Sequence, residues 1–104
     1  MPDTIQERAL RTWHSKGFPA HLRRNHAVLG LVGEAGEFAD LYKKDLFKPG
    51  HESDVAQRMD ELGDVLYYVA ILADLDGFTL DEISRWNAKK LADGHGWKPD
   101  HVNG

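Results

Sequence analysis

Two pairs of carboxylates, each pair three residues apart, carry the chemical interest of this sequence: Glu34 with Glu37, and Glu61 with Asp64. On a helix, side chains at that spacing lie on one face with Cβ atoms roughly 5–6 Å apart, close enough to share a ligand. Both pairs sit among apolar residues, with Leu31, Phe38, Leu41 and Tyr42 beside the first and Leu62, Val65 and Leu66 beside the second. Half-buried carboxylates in such company need a cation, a proton or a network of donors. If two antiparallel helices bring the pairs to one level, four acids would repel one another unless a divalent cation lies between them. There is no cysteine, and no His stands at i+3 or i+4 from any of the four acids. That donor set suits Mg²⁺, with Mn²⁺ as a substitute, better than zinc, and the Glu-x-x-His signature of di-iron bundles is missing. Hard cations that keep several waters commonly take phosphates as their remaining ligands, which directs attention to nucleotides.

Lys43 and Lys44 follow the first acidic pair, and Asn87 and Lys90 share one face of a later helix. All four are candidates for binding phosphate or ribose oxygens. Asn87 lies between Ile83 and Leu91 in an apolar stripe, where a polar amide requires a partner. Trp13, Tyr68 and Trp97 are candidates for stacking on a base. Each has a plainer reading beside it. The acids form a solvated face paired with Lys and Arg, the lysines complement a helix C-terminus, and Trp13, Tyr67 and Tyr68 belong to the core. His26, two turns before Glu34, reads as a packed histidine. The apolar neighbours of the four acids favour the site over the solvated face.

The elements that must position these residues are all helical. Asp3 and Gln6 form a capping box that opens a first helix, whose apolar side is Ile5, Ala9, Leu10 and Trp13. Gly17-Phe18-Pro19 turns the chain into a second helix from about Ala20 to about Leu46. Ala27, Leu31, Glu34, Phe38, Leu41 and Asp45 fall on one of its sides. Gly30, Gly33 and Gly36 recur within it, each costing about 1 kcal/mol of helix propensity relative to Ala, a cost that close approach of another backbone would offset. A loop at Lys48 to Ser53 leads to a third helix capped by Ser53 or Asp54 and ending at Asp76-Gly77. From Leu62 onward that helix is apolar nearly all round, as in a central or interface helix. Thr79 to Glu82 is a capping box for a fourth helix with Ile83, Trp86, Asn87, Lys90 and Leu91 on its inward face. No strand-like alternation, repeat or linker interrupts residues 1–104, so the expectation is a single all-α domain of four main helices in an antiparallel bundle.

Composition narrows the partners. A chain of 104 residues with 41% hydrophobic and 29% charged residues has the balance of a globular domain, small enough for oligomerisation to help it. The first residues lack the apolar core of a signal peptide, and the longest nearly apolar run, Val65 to Ala73, is far short of a membrane span. A net charge of −4 offers no general basic field for a nucleic acid polymer. A cytoplasmic protein without membrane or nucleic acid partners is the expectation, and the lack of cysteine is compatible with it.

The residues Gly30-Leu31-Val32-Gly33-Glu34-Ala35-Gly36-Glu37, Lys43-Lys44, Glu61-Leu62-Gly63-Asp64-Val65-Leu66-Tyr67-Tyr68 and Asn87-Ala88-Lys89-Lys90-Leu91 resemble the MazG-like all-α nucleoside triphosphate pyrophosphohydrolases. The hallmark of that family is Glu-x-x-Glu, a spacer, then Glu-x-x-Asp; here the spacer holds the 23 residues Phe38 to Asp60. The likeness covers roughly residues 20 to 97. It implies Mg²⁺-dependent cleavage of an NTP or dNTP between the α and β phosphates, giving a monophosphate and pyrophosphate, in a nucleotide-clearing role. It implies a helical homodimer or tetramer, with the site often completed by a neighbouring subunit, and makes Glu34, Glu37, Glu61 and Asp64 the metal ligands. Lys43, Lys44, Asn87, Lys90 and Trp97 would serve the substrate. Many relatives carry a further glutamate immediately before the first motif residue, where this chain has Gly33. Activation of water then falls to one of the four motif acids, with Glu37 and then Glu34 as the candidates, or to a second metal. The competing class is a non-catalytic helical module that binds metal or nucleotide and acts through a protein partner.

Overall fold

A computed structural model describes residues 4–13 and 17–94. Among these residues the chain forms four helices and no strand: α1 (Ile5–Arg11), α2 (Ala20–Phe47), α3 (Val55–Leu75) and α4 (Leu80–Ala92). Each start has a local cause. Thr4 caps α1 by accepting from the Glu7 amide at 3.0 Å. This corrects the expected Asp3 and Gln6 box, since Asp3 lies outside the described residues and the Gln6 side chain is used elsewhere. Gln6 donates to the Phe78 carbonyl at 2.8 Å and accepts from the Leu80 amide at 3.1 Å, tying α1 to the turn between α3 and α4. Asp54, not Ser53, caps α3 in a reciprocal box with Gln57, and Thr79 with Glu82 does the same for α4 as the sequence predicts.

The end of α3 shows why glycine stands at 77. Its φ of 81° is left-handed, and the Gly77 and Phe78 amides turn back to the Asp74 and Ala73 carbonyls at 3.0 and 2.8 Å. That is a Schellman ending, which closes the last carbonyls of the helix and frees the chain for α4.

The long helices α2 and α3 form an antiparallel hairpin, and this pairing is the most extensive in the molecule; α1 packs on α3, while α4 touches α3 least. The buried centre is small: Ala9, Trp13, Ala27, Ala70 and Ile71, with Leu10, Tyr67, Tyr68, Leu72, Leu75 and Leu80 packed around them. Trp13 is a core residue, 5% exposed, stacked on His26 at 5.0 Å between centroids and edge-on to both Tyr67 and Tyr68. The plainer reading of Trp13 therefore holds, while His26 is exposed and lays its ring on Trp13 from the solvent side.

Two expectations are corrected by the packing. The inward face assigned to α4 is open in the single chain, where Trp86 is 76% exposed and Asn87 is exposed with it. The α4 stripe is apolar, but among the described residues no element covers Trp86 and Asn87. The glycines of α2 do not share one explanation either. At Gly30 a β-carbon would collide with the Tyr68 ring, so a side chain rather than a backbone makes the close approach; Gly33, Gly36 and also Gly63 face open space.

Candidate active site

Hairpin register brings the acids together. Gly30 meets Tyr68, and Glu34 meets Asp64: four residues forward on α2 correspond to four back on α3. Glu61 lies one turn before Asp64 on the same face of α3. One carboxylate oxygen from each of Glu34, Glu61 and Asp64 lies within 4.8 Å of the others. Glu34 and Glu61 are half-buried and Asp64 is exposed, so the group opens to solvent on one side.

The electrostatics confirm the crowding. Burial, followed by the charges of Asp64, Glu61 and Glu37 and the hydrogen-bonding approach of Asp64, holds the Glu34 carboxyl above its ordinary range. Tyr68 borders the same place. Its phenol is pushed up by burial first and then by the Glu34 charge. A proton on Glu34 relieves the repulsion at low pH, and a bound cation would do so at neutral pH. Three carboxylate oxygens at this separation, open to water on one side, fit a hard divalent cation that retains water or phosphate ligands.

Glu37, the fourth acid of the motif, is exposed one turn further along α2 and falls outside this group of three, although its charge is felt at Glu34. It is therefore a carboxylate beside the cradle rather than within it. Lys43 and Lys44 are exposed and outside the group; Lys44 pairs with Asp40 at 3.1 Å. Nine residues separate Glu34 from Lys43, which turns Lys43 to the opposite side of α2. Asn87 and Lys90 stand on the exposed surface of α4. Trp97 lies outside the described residues.

Two features escaped the sequence reading. Phe78, Glu82, Ile83 and Trp86 line an apolar hollow of about 460 Å³ at the start of α4. The signal was present in the α4 stripe, but it was assigned to the interior. At the closed end of the hairpin, Asp45 accepts from the Ser53 amide at 2.7 Å and from the Ser53 hydroxyl at 2.5 Å, and meets His51 Nδ1 at 2.9 Å. The Arg58 guanidinium donates to the Ser53 carbonyl at 2.6 Å and to its hydroxyl at 3.0 Å. The only sequence signal for this network is the position of Asp45 on the Glu34 face of α2.

Comparison with known proteins places these residues in a family. Residues 24–97 match the MazG nucleotide pyrophosphohydrolase domain, a span that contains all four motif acids. The Gene 37 protein of Mycobacterium phage L5 is 40% identical over 70 residues, covering 64% of this chain and 61% of that protein. The chain thus matches less than two thirds of that relative's length. No solved structure gives a significant match.

Proposed function

Because the chain belongs to the MazG nucleotide pyrophosphohydrolase family, we propose that it hydrolyses a nucleoside triphosphate between the α and β phosphates with the help of Mg²⁺. The observation that carries this reading is the group of Glu34, Glu61 and Asp64 within 4.8 Å on a helical hairpin. These three residues would hold the cation. When bound, it neutralises phosphate charge and orients the chain of phosphates. Glu37, exposed one turn from Glu34, takes a proton from the attacking water. The water oxygen joins a phosphorus of the α–β bridge, the bridging P–O bond breaks, and a monophosphate and pyrophosphate leave. Asn87 and Lys90 are assigned to the substrate's phosphates and sugar, with Trp97 available to the base; Lys43 and Lys44, on the side of α2 away from Glu34, are assigned to phosphates held by a neighbouring copy.

The same reading includes assembly of this single domain into a homodimer or tetramer. The accessible surface of 8029 Å² is well above the roughly 5,900 Å² that a folded monomer of 11.7 kDa exposes. Similarly, a radius of gyration of 16.9 Å compares with about 13 Å for a compact chain of this length. Large apolar side chains contribute to the exposed surface. Val55, Met59, Leu62 and Leu66 form an exposed stripe at alternating four- and three-residue steps on α3, and Leu29 and Val32 are exposed on α2 beside the open Gly33 and Gly36. A second copy covers such a face at close range, which also explains glycines with no neighbour among the described residues. Among the described residues no helix is long and apolar enough to cross a membrane. A cytoplasmic nucleotide-clearing role is part of the proposal.

The test is incubation with a panel of NTPs, dNTPs and modified nucleotides with Mg²⁺, followed by separation of products. Monophosphate and pyrophosphate in equal amounts are expected, with turnover lost in Asp64→Ala and Glu37→Ala. Release of orthophosphate alone would refute α–β cleavage, and tight nucleotide binding without turnover would identify a binding module.

A further inference from the structure

We propose that Asp45 is a positioning residue for the acidic site, setting through Ser53 and Arg58 the register of α2 against α3 that places Glu34 beside Glu61 and Asp64. The inference rests on the metal-binding role given to those three acids, but its structural content is separate from that role. Asp45 and Glu34 are eleven residues apart on α2, about three turns, and share one face of the helix. Ser53 and Asp64 are likewise eleven residues apart, on the opposing segment. The contact of Asp45 with Ser53 and the contact of Glu34 with Asp64 thus belong to the same antiparallel register. On α3, Arg58 precedes Glu61 by three residues, one turn.

Helix capping does not account for this network. The cap of α3 is Asp54, whose side chain accepts from the Gln57 amide, so Ser53 is free of that duty. Yet Ser53 is the one buried polar residue among those described, only 4% exposed. Its hydroxyl donates to Asp45 and accepts from Arg58, while its amide also donates to Asp45. The result is a continuous chain from Arg58 of α3 through Ser53 to Asp45 of α2, with His51 adding a fourth member. The connection contains Pro49 and Gly50, the latter at φ 77°, which turn the chain without specifying how far one helix slides along the other. Paired directional hydrogen bonds do specify it. A slide that separates Asp45 from Ser53 also separates Glu34 from Asp64, because α2 is continuous from Glu34 to Asp45 and Ser53, tied to Arg58, directly precedes the Asp54 cap of the helix that carries Asp64.

The absence of cysteine from the chain allows a direct test on the full protein. Nitroxide labels on Asn25→Cys and Ala56→Cys, both exposed, report the slide of α2 along α3 by pulsed electron resonance in samples diluted with unlabelled chain. Mn²⁺ affinity without nucleotide is measured on the same variants by titration calorimetry, well below their melting temperatures. With helical circular dichroism retained, Asp45→Asn and Ser53→Ala should broaden or shift the label distance and weaken Mn²⁺ binding about tenfold. Ser53→Thr, which keeps the hydroxyl, should restore both. Asp40→Asn, which removes only the Lys44 pair on the outer side of α2, should change neither. A merely structural role lowers the melting temperature and leaves both readouts of the folded protein as they were, an outcome that overturns the proposal. Loss of affinity at an unchanged label distance overturns it as well. If Asp45→Asn does not fold, Ser53→Ala decides. Absence of Mn²⁺ binding in the parent protein defeats the metal reading of the acids, while the label distances still decide the register.

Discussion

The ring of Tyr68 on α3 occupies the space that a β-carbon on Gly30 of α2 would need. This contact lies one turn from Glu34, so the seat of the ring and the acidic group are adjacent. Gly30→Ala gains about 1 kcal/mol in helix propensity but forces a half-buried ring aside, an overpacking that typically costs about 1–3 kcal/mol. The net effect should be destabilisation, read as a lower midpoint in urea unfolding. Pairing the change with Tyr68→Leu should recover part of the loss.

Glu34→Gln should stabilise the metal-free protein while removing its response to Mg²⁺. The carboxyl is held above its ordinary range by burial and by three neighbouring acids. The folded state therefore binds more protons than the unfolded state across the window between the ordinary and raised values, and stability falls as pH rises through it. Thermal melts in EDTA from acid to neutral pH should show that fall in the parent protein and a flatter profile in Glu34→Gln.

Addition of Mg²⁺ at a hundred times its dissociation constant should stabilise the folded protein by about 2.7 kcal/mol. Chelation should reverse the gain. In Asp64→Asn, which takes one oxygen donor from the group of three, the melting temperature should become nearly independent of Mg²⁺. Calcium, with its longer bonds and higher coordination number, should bind without supporting turnover at the same rate.

Asp45 behaves in the opposite sense to Glu34. Hydrogen bonds from the Ser53 hydroxyl, then its amide, and the contact with His51 hold its carboxyl below the ordinary range despite partial burial. A depressed acid contributes stability that is present above its unfolded value and is lost as pH falls through the folded one. Asp45→Asn should remove that part of the acid limb, so the parent and variant melting temperatures should converge toward low pH.

Gly36→Ala should favour the isolated helix and disfavour assembly. Among the described residues nothing lies within reach of a β-carbon on Gly36. Light scattering across a dilution series should show the variant dissociating at higher protein concentration than the parent, by about tenfold if the methyl costs on the order of 1.4 kcal/mol at the interface. Unchanged assembly would remove Gly36 from the contact between copies.

Much of the fold could be read from residue types alone, because caps and stops act locally. Thr79 with Glu82, Asp54 with Gln57, and the glycines at 50 and 77 mark their boundaries through bonds to the next few residues. The spacing of Glu34, Glu37, Glu61 and Asp64 was equally legible, since a helix places i and i+3 on one face wherever it lies. The error at α1 shows the limit of such rules. Gln6 has the spacing of a capping partner for Asp3, yet its amide is satisfied by Phe78 and Leu80, more than seventy residues away.

The sequence by itself determined four helices, two acidic pairs and an excess of apolar faces, because each is a property of spacing within one helix. Only the tertiary structure decided which acids meet. It joined Glu34 to Glu61 and Asp64 and left Glu37 at the edge, because register between helices depends on contacts such as Tyr68 on Gly30 and Ser53 on Asp45. It also separated Gly30, filled by a ring, from Gly33 and Gly36, which look identical in sequence but face open space. Periodicity states which residues share a side of a helix. What lies across from that side is a long-range fact, decided where two helices pack.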